Sequence, residues 1–333
     1  MSYVLALSIA ILAAPSGQIA FLTATEQEDQ RVSVLDLATG TVQPVGAGNR
    51  DGAPRWSPDG QWLAYVTGAP TEGTGVRIVR PDGTDERLLP HSATWVYGPP
   101  AWSPDGLKLA YTSGSGLDQR VMVYDLEAGT EEPWGSETQS IFQPLWTGDS
   151  QLIAVGTTGV AGAHGTDLFW VTKTSSTPAR ETLASTGDYV EWLPRPNSDG
   201  DAIAYESNDG GDREIFVFEK KRGALDVSNH RAADWNPVWS RDGEWVAFES
   251  FRGGRRGIYR VNPVQVRVSN IAADPAFDAW APAWSPDSRW IAFVSNRDGA
   301  PRLYATDIDG EEVIPLTKHT LHDFAPAWRP ENK

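Results

Sequence analysis

The chain contains no cysteine, and just two of its 333 residues are methionine. Without cysteine there is no disulfide framework, no thiolate nucleophile and no cysteine-ligated metal site. Stability must come from a buried core, which a chain of this length can supply. Histidine is scarce too, at five residues. Basic residues are outnumbered: 28 Lys and Arg stand against 44 Asp and Glu, for a formal net charge of −16. A surface of that sign repels phosphate backbones and anionic bilayers, so nucleic acid is not an expected partner. The longest apolar run, Tyr3 to Ala14, is closed by Pro15-Ser16-Gly17. It falls short of the roughly 20 residues a helix needs to cross a bilayer, and no transmembrane span is expected.

Residues 1–16 form an apolar N-terminal segment of signal-peptide length, with Ala13 and Ala14 near a plausible cut. No Lys or Arg precedes the run, and Ile11 and Leu12 spoil the small-x-small pattern. Export to a periplasmic or extracellular setting is the expectation. A buried N-terminal strand or a wrongly placed start is the alternative, with a cytoplasmic setting left open. Residues 17–333 read as a single domain.

What is abundant is 15 tryptophans, 32 glycines and 24 prolines, a composition suited to many short strands joined by tight turns. The tryptophans fall into a repeat. Pro54-Arg55-Trp56-Ser57-Pro58-Asp59-Gly60 returns as Pro100-Ala101-Trp102-Ser103-Pro104-Asp105-Gly106 and as Pro237-Val238-Trp239-Ser240-Arg241-Asp242-Gly243. Ala281-Pro282-Ala283-Trp284-Ser285-Pro286-Asp287 is a further copy, Pro144-Leu145-Trp146-Thr147-Gly148-Asp149 and Glu191-Trp192 are degraded ones, and Pro326-Ala327-Trp328 is a half-copy. Taken at 56, 102, 146, 192, 239, 284 and 328, the tryptophans are 46, 44, 46, 47, 45 and 44 residues apart. A period near 45 residues is that of a propeller blade of four strands.

Each unit reads as a Pro-x-Trp strand, a turn, and an apolar strand with a central alanine, followed by two outer strands. The second strands number seven: Ile19-Ala20-Phe21, Leu63-Ala64-Tyr65, Leu109-Ala110-Tyr111, Ile153-Ala154-Val155, Ile203-Ala204-Tyr205, Val246-Ala247-Phe248 and Ile291-Ala292-Phe293. The first unit lacks its Pro-x-Trp strand, and Pro326–Trp328 supplies an orphan one. The predicted fold is all-β: a seven-bladed propeller of four antiparallel strands per blade, closed by the C-terminal strand joining the N-terminal blade.

Trp-Ser-Pro-Asp-Gly, followed by strands such as Trp290-Ile291-Ala292-Phe293-Val294-Ser295, resembles the PD40 (WD40-like) repeats of the TolB propeller. Similar repeats build propellers attached to prolyl-oligopeptidase-type peptidases, the tricorn protease and oligogalacturonate lyases. The resemblance spans essentially Gly17 to Pro330. It implies the propeller and a TolB-like binding scaffold, with a lyase or hydrolase as the alternative. TolB has six blades behind an α/β domain, whereas seven blades are counted here.

Catalytic motifs are missing from the sequence: there is no G-x-S-x-G elbow, no H-E-x-x-H and no Walker loop. No catalytic residue and no cofactor are expected. His91, His230 and His319 recur at one place in the repeat and read as loop features, and His164 reads as a solvated loop residue. His319 and His322, beside Asp323, are weak metal candidates. Asp307-Ile308-Asp309-Gly310 and Asn208-Asp209-Gly210-Gly211-Asp212 lack calcium-loop spacing and read as turns.

The functional signal is positional. The residues just before each Pro-x-Trp strand are Asp51, Tyr97, Phe142, Tyr189, Asp234 with Trp235, Asp278 with Trp280, and Asp323 with Phe324. They are predicted to ring the channel mouth. Aromatics beside carboxylates suit a protein or peptide partner, and a carbohydrate is a further option. Capping of the strands and packing between blades is the structural explanation that competes with this reading. Arg252–Arg256 is read as a basic rim. The expected function is non-enzymatic binding at this face, and an enzyme using the same mouth is the alternative.

Overall fold

The computed structural model describes residues 14–24, 29–46, 48, 50–68, 73–91, 95–115, 118–135, 140–157, 165–173, 182–184, 189–319 and 321–331. Most of the N-terminal apolar segment and His164 lie outside the described residues. The strands form seven four-stranded antiparallel sheets, the blades of a propeller. No helix occurs among the described residues. Six blades use consecutive strands. The remaining sheet is composite: His322–Trp328 pairs with Gln18–Ala24, which is followed by Gln30–Asp36 and Thr41–Pro44. That sheet is the first blade, and the others are numbered along the chain. The last strand is therefore the innermost strand of the first blade, as the orphan Pro-x-Trp unit predicts.

Strands sandwiched between neighbours must be apolar on both faces, and the second strand of every blade is. Ile19, Ala20 and Phe21 are wholly buried, as are Val246, Ala247 and Phe248. One apolar cluster fills each of the seven blade interfaces. The cluster between the seventh blade and the first joins Trp290, Ala292 and Leu303 to Ile19, Phe21 and Leu35. The ring is closed by packing as well as by strand pairing, and no sheet edge is left at the seam.

The tryptophan of the repeat has a specific job. Its indole N–H donates to the backbone carbonyl just before the equivalent position of the preceding blade. Trp56 donates to Ala327 at 2.8 Å, Trp102 to Arg55 at 3.1 Å, Trp239 to Arg195 at 2.8 Å and Trp284 to Val238 at 3.1 Å. Two depart from this: Trp328 donates to Ser16 at 3.0 Å, and the Trp146 indole N–H has no acceptor among the described residues. The Ser and Asp of the motif close the turn beyond it. Ser57 and Asp59, Ser103 and Asp105, Ser240 and Asp242, and Ser285 and Asp287 each bond at 2.5 Å.

Strand register corrects two sequence equivalences. Trp192 is not the repeat tryptophan of the fifth blade. Pro196 pairs with Ile203 as Trp239 pairs with Val246, whereas Trp192 pairs with Glu206 as Trp235 pairs with Glu249. The seam position there is a proline with no N–H to give, and the 45-residue spacing hid the four-residue offset. In the fourth blade the turn after Trp146 is one residue shorter. Thr147 N–H reaches Gln151, five positions on from Trp146, where Ser103 N–H reaches Lys108, six on from Trp102. Leu145 therefore pairs with Ile153, in the place where Ala101 pairs with Ala110. Because strand side chains alternate, a one-residue slip exchanges faces. Ile153, not Ala154, packs toward the fifth blade.

Candidate binding site at the channel mouth

Each innermost strand follows one plan, seen in Asp234-Trp235-Asn236-Pro237-Val238-Trp239. The third residue has left-handed backbone in six blades: Gly98, Gln143, Leu193, Asn236, Ala281 and Ala325 have φ of 66°, 53°, 45°, 55°, 54° and 49°. Five of the six are not glycine, so the surroundings must hold a conformation that L-residues avoid. The result is a bulge, with the pairing register shifting at this point in all six blades. Bulges re-aim side chains. Here the bulge turns the third residue's N–H out of the ladder, and in four blades a side chain of the preceding blade accepts it. Gln143 N–H donates to Thr112 Oγ1 at 2.9 Å, Leu193 to Gln143 Oε1 at 3.4 Å, Asn236 to Glu206 Oε1 at 2.7 Å and Ala281 to Glu249 Oε1 at 2.8 Å.

The second residue of the same strand is aromatic in six blades: Tyr97, Phe142, Trp192, Trp235, Trp280 and Phe324. Phe142, Trp280 and Phe324 pack one side against the interblade clusters. Tyr97 is 39% exposed, and Tyr189, which precedes the fifth blade's inner strand, is equally exposed. Trp192 takes the place in the ring that the sequence reading gave to Tyr189.

On the fifth and sixth blades a second layer supports the aromatics. Glu206 and Glu249 occupy the same register of neighbouring second strands, and both are buried. Each holds an arginine from the loop that follows. Arg213 lies 3.3 Å from Glu206 and its guanidinium lies 4.5 Å from the Trp192 ring centre. Arg256 pairs with Glu249, with its guanidinium 5.6 Å from the centres of both Trp235 and Trp280. Trp235 also packs on Phe251 at 5.0 Å. Burial pushes the Glu206 carboxyl up, against the opposing pull of the Asn236 N–H and Arg213. The sequence reading missed Trp192, Arg213, Glu206 and Glu249. The available signal was a glutamate after the aromatic in Tyr205-Glu206 and Phe248-Glu249, where the aligned blades have apolar residues or threonine.

The acidic residues foreseen at the mouth are mostly tied down. Asp234 is wholly buried and pairs with Arg252. Asp323, equally buried, accepts from Thr317 Oγ1 and from Leu303 N–H at 3.3 Å. Asp51 accepts from Val32 N–H at 3.1 Å and Thr67 Oγ1 at 2.9 Å, and its burial raises its pKa. Asp278 is half-buried and bound by Arg255 at 3.1 Å. Each of these acids links two strands or loops, and the basic run Arg252–Arg256 is divided among Asp234, Asp278 and Glu249.

His319 Nε2 lies 3.2 Å from Asp323 Oδ1, and its ring stacks on Phe21. His322 stands edge-on to Phe324. Among the described residues, no three His, Cys, Asp or Glu side chains are grouped to hold a metal ion. No helix among them is long and apolar enough to cross a membrane.

Below the aromatics runs the central channel, in two sections of about 870 and about 430 Å³ that share Arg55, Leu145, Arg195, Trp239, Arg241 and Ala327. Tyr97, Phe142 and Gln143 line the larger section.

No protein-family model and no curated protein match the chain. Solved structures do. TolB from Acinetobacter baumannii superposes with a TM-score of 0.64 at 16% identity, over 95% of this chain and 67% of that one. An oligogalacturonate lyase from Vibrio parahaemolyticus gives 0.65 at 16%, over 87% and 86%. The β-propeller domain of the trilobed protease from Pyrococcus furiosus gives 0.67 at 12%, over 92% and 96%. That domain has an open velcro topology, whereas here the last strand closes the first blade. At such identities the likeness establishes a fold: the chain is a β-propeller similar in architecture to TolB and to the propellers of lyases and proteases.

Proposed function

We propose that this is a binding propeller that takes a protein or peptide partner on its channel-mouth face, centred on the fifth to seventh blades. One observation carries the reading. The aromatic side chains most open to solvent among the described residues, Tyr97, Tyr189 and Phe251, all lie on this face. Phe251 packs on Trp235, and Trp235 and Trp280 flank Arg256. Tryptophan, tyrosine and arginine are the side chains that carry most binding energy in protein interfaces. Arg256 and Arg213 are already held by buried carboxylates, so little side-chain freedom is lost on binding. The TolB-like architecture agrees with a scaffold role.

The test is affinity capture followed by titration of the purified partner. Trp235→Ala combined with Trp280→Ala is expected to weaken binding about 100-fold or more while the protein still melts cooperatively. Leu107→Ala, on the opposite face, should leave affinity unchanged. Undiminished binding by the double variant contradicts the proposal, as does turnover of an acidic polysaccharide that the double variant abolishes.

A further inference from the structure

The residue just before the repeat tryptophan, or before Pro196 in the fifth blade, forms a ring around the channel, one per blade: Ala327, Arg55, Ala101, Leu145, Arg195, Val238 and Ala283. Five are apolar. The other two, on the second and fifth blades, are arginines, and three blades of separation in a ring of seven sets them across the lumen from each other. Both line both sections of the channel, and Arg241 joins them near the turn face. No Asp or Glu is among the described residues lining either section. In a chain with 44 acidic and 28 basic residues, a channel whose charged lining residues are all arginine is the reverse of what composition alone would give.

Neither arginine has an ion-pair partner within the described residues. Arg55 donates to the Pro54 carbonyl at 3.1 Å and Arg195 to the Pro194 carbonyl at 3.2 Å, each spending one of five N–H donors on its own neighbour. Glu206, the acid that Arg195 senses, is engaged by Arg213 and the Asn236 N–H. Burial and then the charge of Arg195 lower the Arg55 pKa to about 10. Both are half-buried in the channel wall, and charges withdrawn from bulk water are ordinarily paired. Two that face each other unpaired are poised for a shared counter-charge.

We infer that the channel is an anion site, in which Arg55 and Arg195 clamp the carboxylates of a ligand whose carbon skeleton lies against the apolar wall. A guanidinium fork matches a carboxylate bidentately. Pro100, Leu145 and Leu193 supply the wall beside the two forks. A dicarboxylate or an acidic peptide segment can place one carboxylate on each fork, whereas inorganic phosphate offers neither the span nor a skeleton to pack. This site does not depend on the mouth reading, since neither the two arginines nor Pro100, Leu145 and Leu193 belong to the aromatic ring.

Calorimetric titration of the full chain tests it with three probes at constant ionic strength: succinate, a blocked peptide bearing two glutamates, and inorganic phosphate. Saturable one-to-one binding of succinate, reduced about 100-fold or more by Arg55→Gln with Arg195→Gln, supports the site and identifies a small free carboxylate as its ligand. The same loss for the peptide, with no succinate binding, supports it and identifies a peptide segment. Absence of carboxylate binding, affinity unchanged in the variant, or phosphate binding as tightly as the carboxylates each overturns it. If the double variant loses its cooperative melt, Arg195→Lys keeps the charge without the fork. It must then cost about tenfold in affinity at unchanged melting temperature, and no loss overturns the site.

Discussion

Asn236 bridges two buried carboxylates: its backbone N–H donates to Glu206 Oε1 and its side-chain amide to Glu249 Oε1, each at 2.7 Å. One residue thus links the fifth blade to the sixth beneath the mouth tryptophans, and does so at a φ of 55°. Asn tolerates that conformation better than most residues. Asn236→Ala adds backbone strain and removes a donor from a wholly buried carboxylate, and is expected to cost about 1–3 kcal/mol. Asn236→Gly removes the amide without the strain and should cost less. Denaturant melts of both variants check the order, and equal losses would contradict it.

The Asp234–Arg252 pair makes a second prediction. Asp234 has no solvent exposure, so Arg252→Ala strands a buried charge and should destabilise the fold by about 3 kcal/mol. Adding Asp234→Asn should recover part of that loss. A double variant less stable than Arg252→Ala would show that the pair is not the relevant contact.

Stability should also depend on pH with a definite sign. Burial raises the Glu214 pKa from its ordinary 4.5 to about 7, and the charges of Asp234 and Asp226 add to the effect. Hydrogen bonds from Ser228 Oγ and His230 N–H oppose it. A raised carboxyl binds more protons folded than unfolded between those values. Its stabilising share is therefore full below 4.5 and is lost as pH rises through about 7. Loss of solvent shifts Asp51, Glu206, Asp226 and Asp323 in the same direction. The melting temperature should fall between pH 5 and pH 8, and Glu214→Gln should shrink that fall by a few degrees. An identical pH profile for the variant would contradict the assignment.

Ring closure predicts that removing residues 324–333 sharply lowers the melting temperature. The deletion takes away Phe324 and Trp328, which pair with Leu22 and Ile19, and the Trp328 bond to Ser16. Trp328→Ala alone should cost about 3–5 kcal/mol as a large-to-small core change. An unchanged melt after the deletion would refute closure by this strand.

Blade count and closure were legible because both rest on a pattern written in the chain: Pro-x-Trp, a Ser-Asp turn, and a strand apolar on both faces. The two misalignments came where the chemistry was degenerate. Trp192 mimics the seam tryptophan four residues early, and the short turn after Trp146 leaves Leu152-Ile153-Ala154-Val155 apolar in either register. The mouth was partly legible, since aromatics such as Trp235 and Trp280 precede the proline at fixed distance. Its supports were not. Glu206 and Glu249 accept from Asn236 N–H and Ala281 N–H through bulges at those left-handed residues, and an alanine does not announce positive φ. The channel arginines were hidden because Arg55 and Arg195 are far apart in sequence, and closing the ring is what sets them face to face.

Amide hydrogen exchange on the protein with and without its captured partner is the most direct test of the binding face. The account predicts slowed exchange in the mouth connections, residues 229–234, 251–256 and 273–278, with the turns at 57–61 and 103–107 unchanged. Protection confined to those turns, with the mouth connections exchanging as in the free protein, would contradict it.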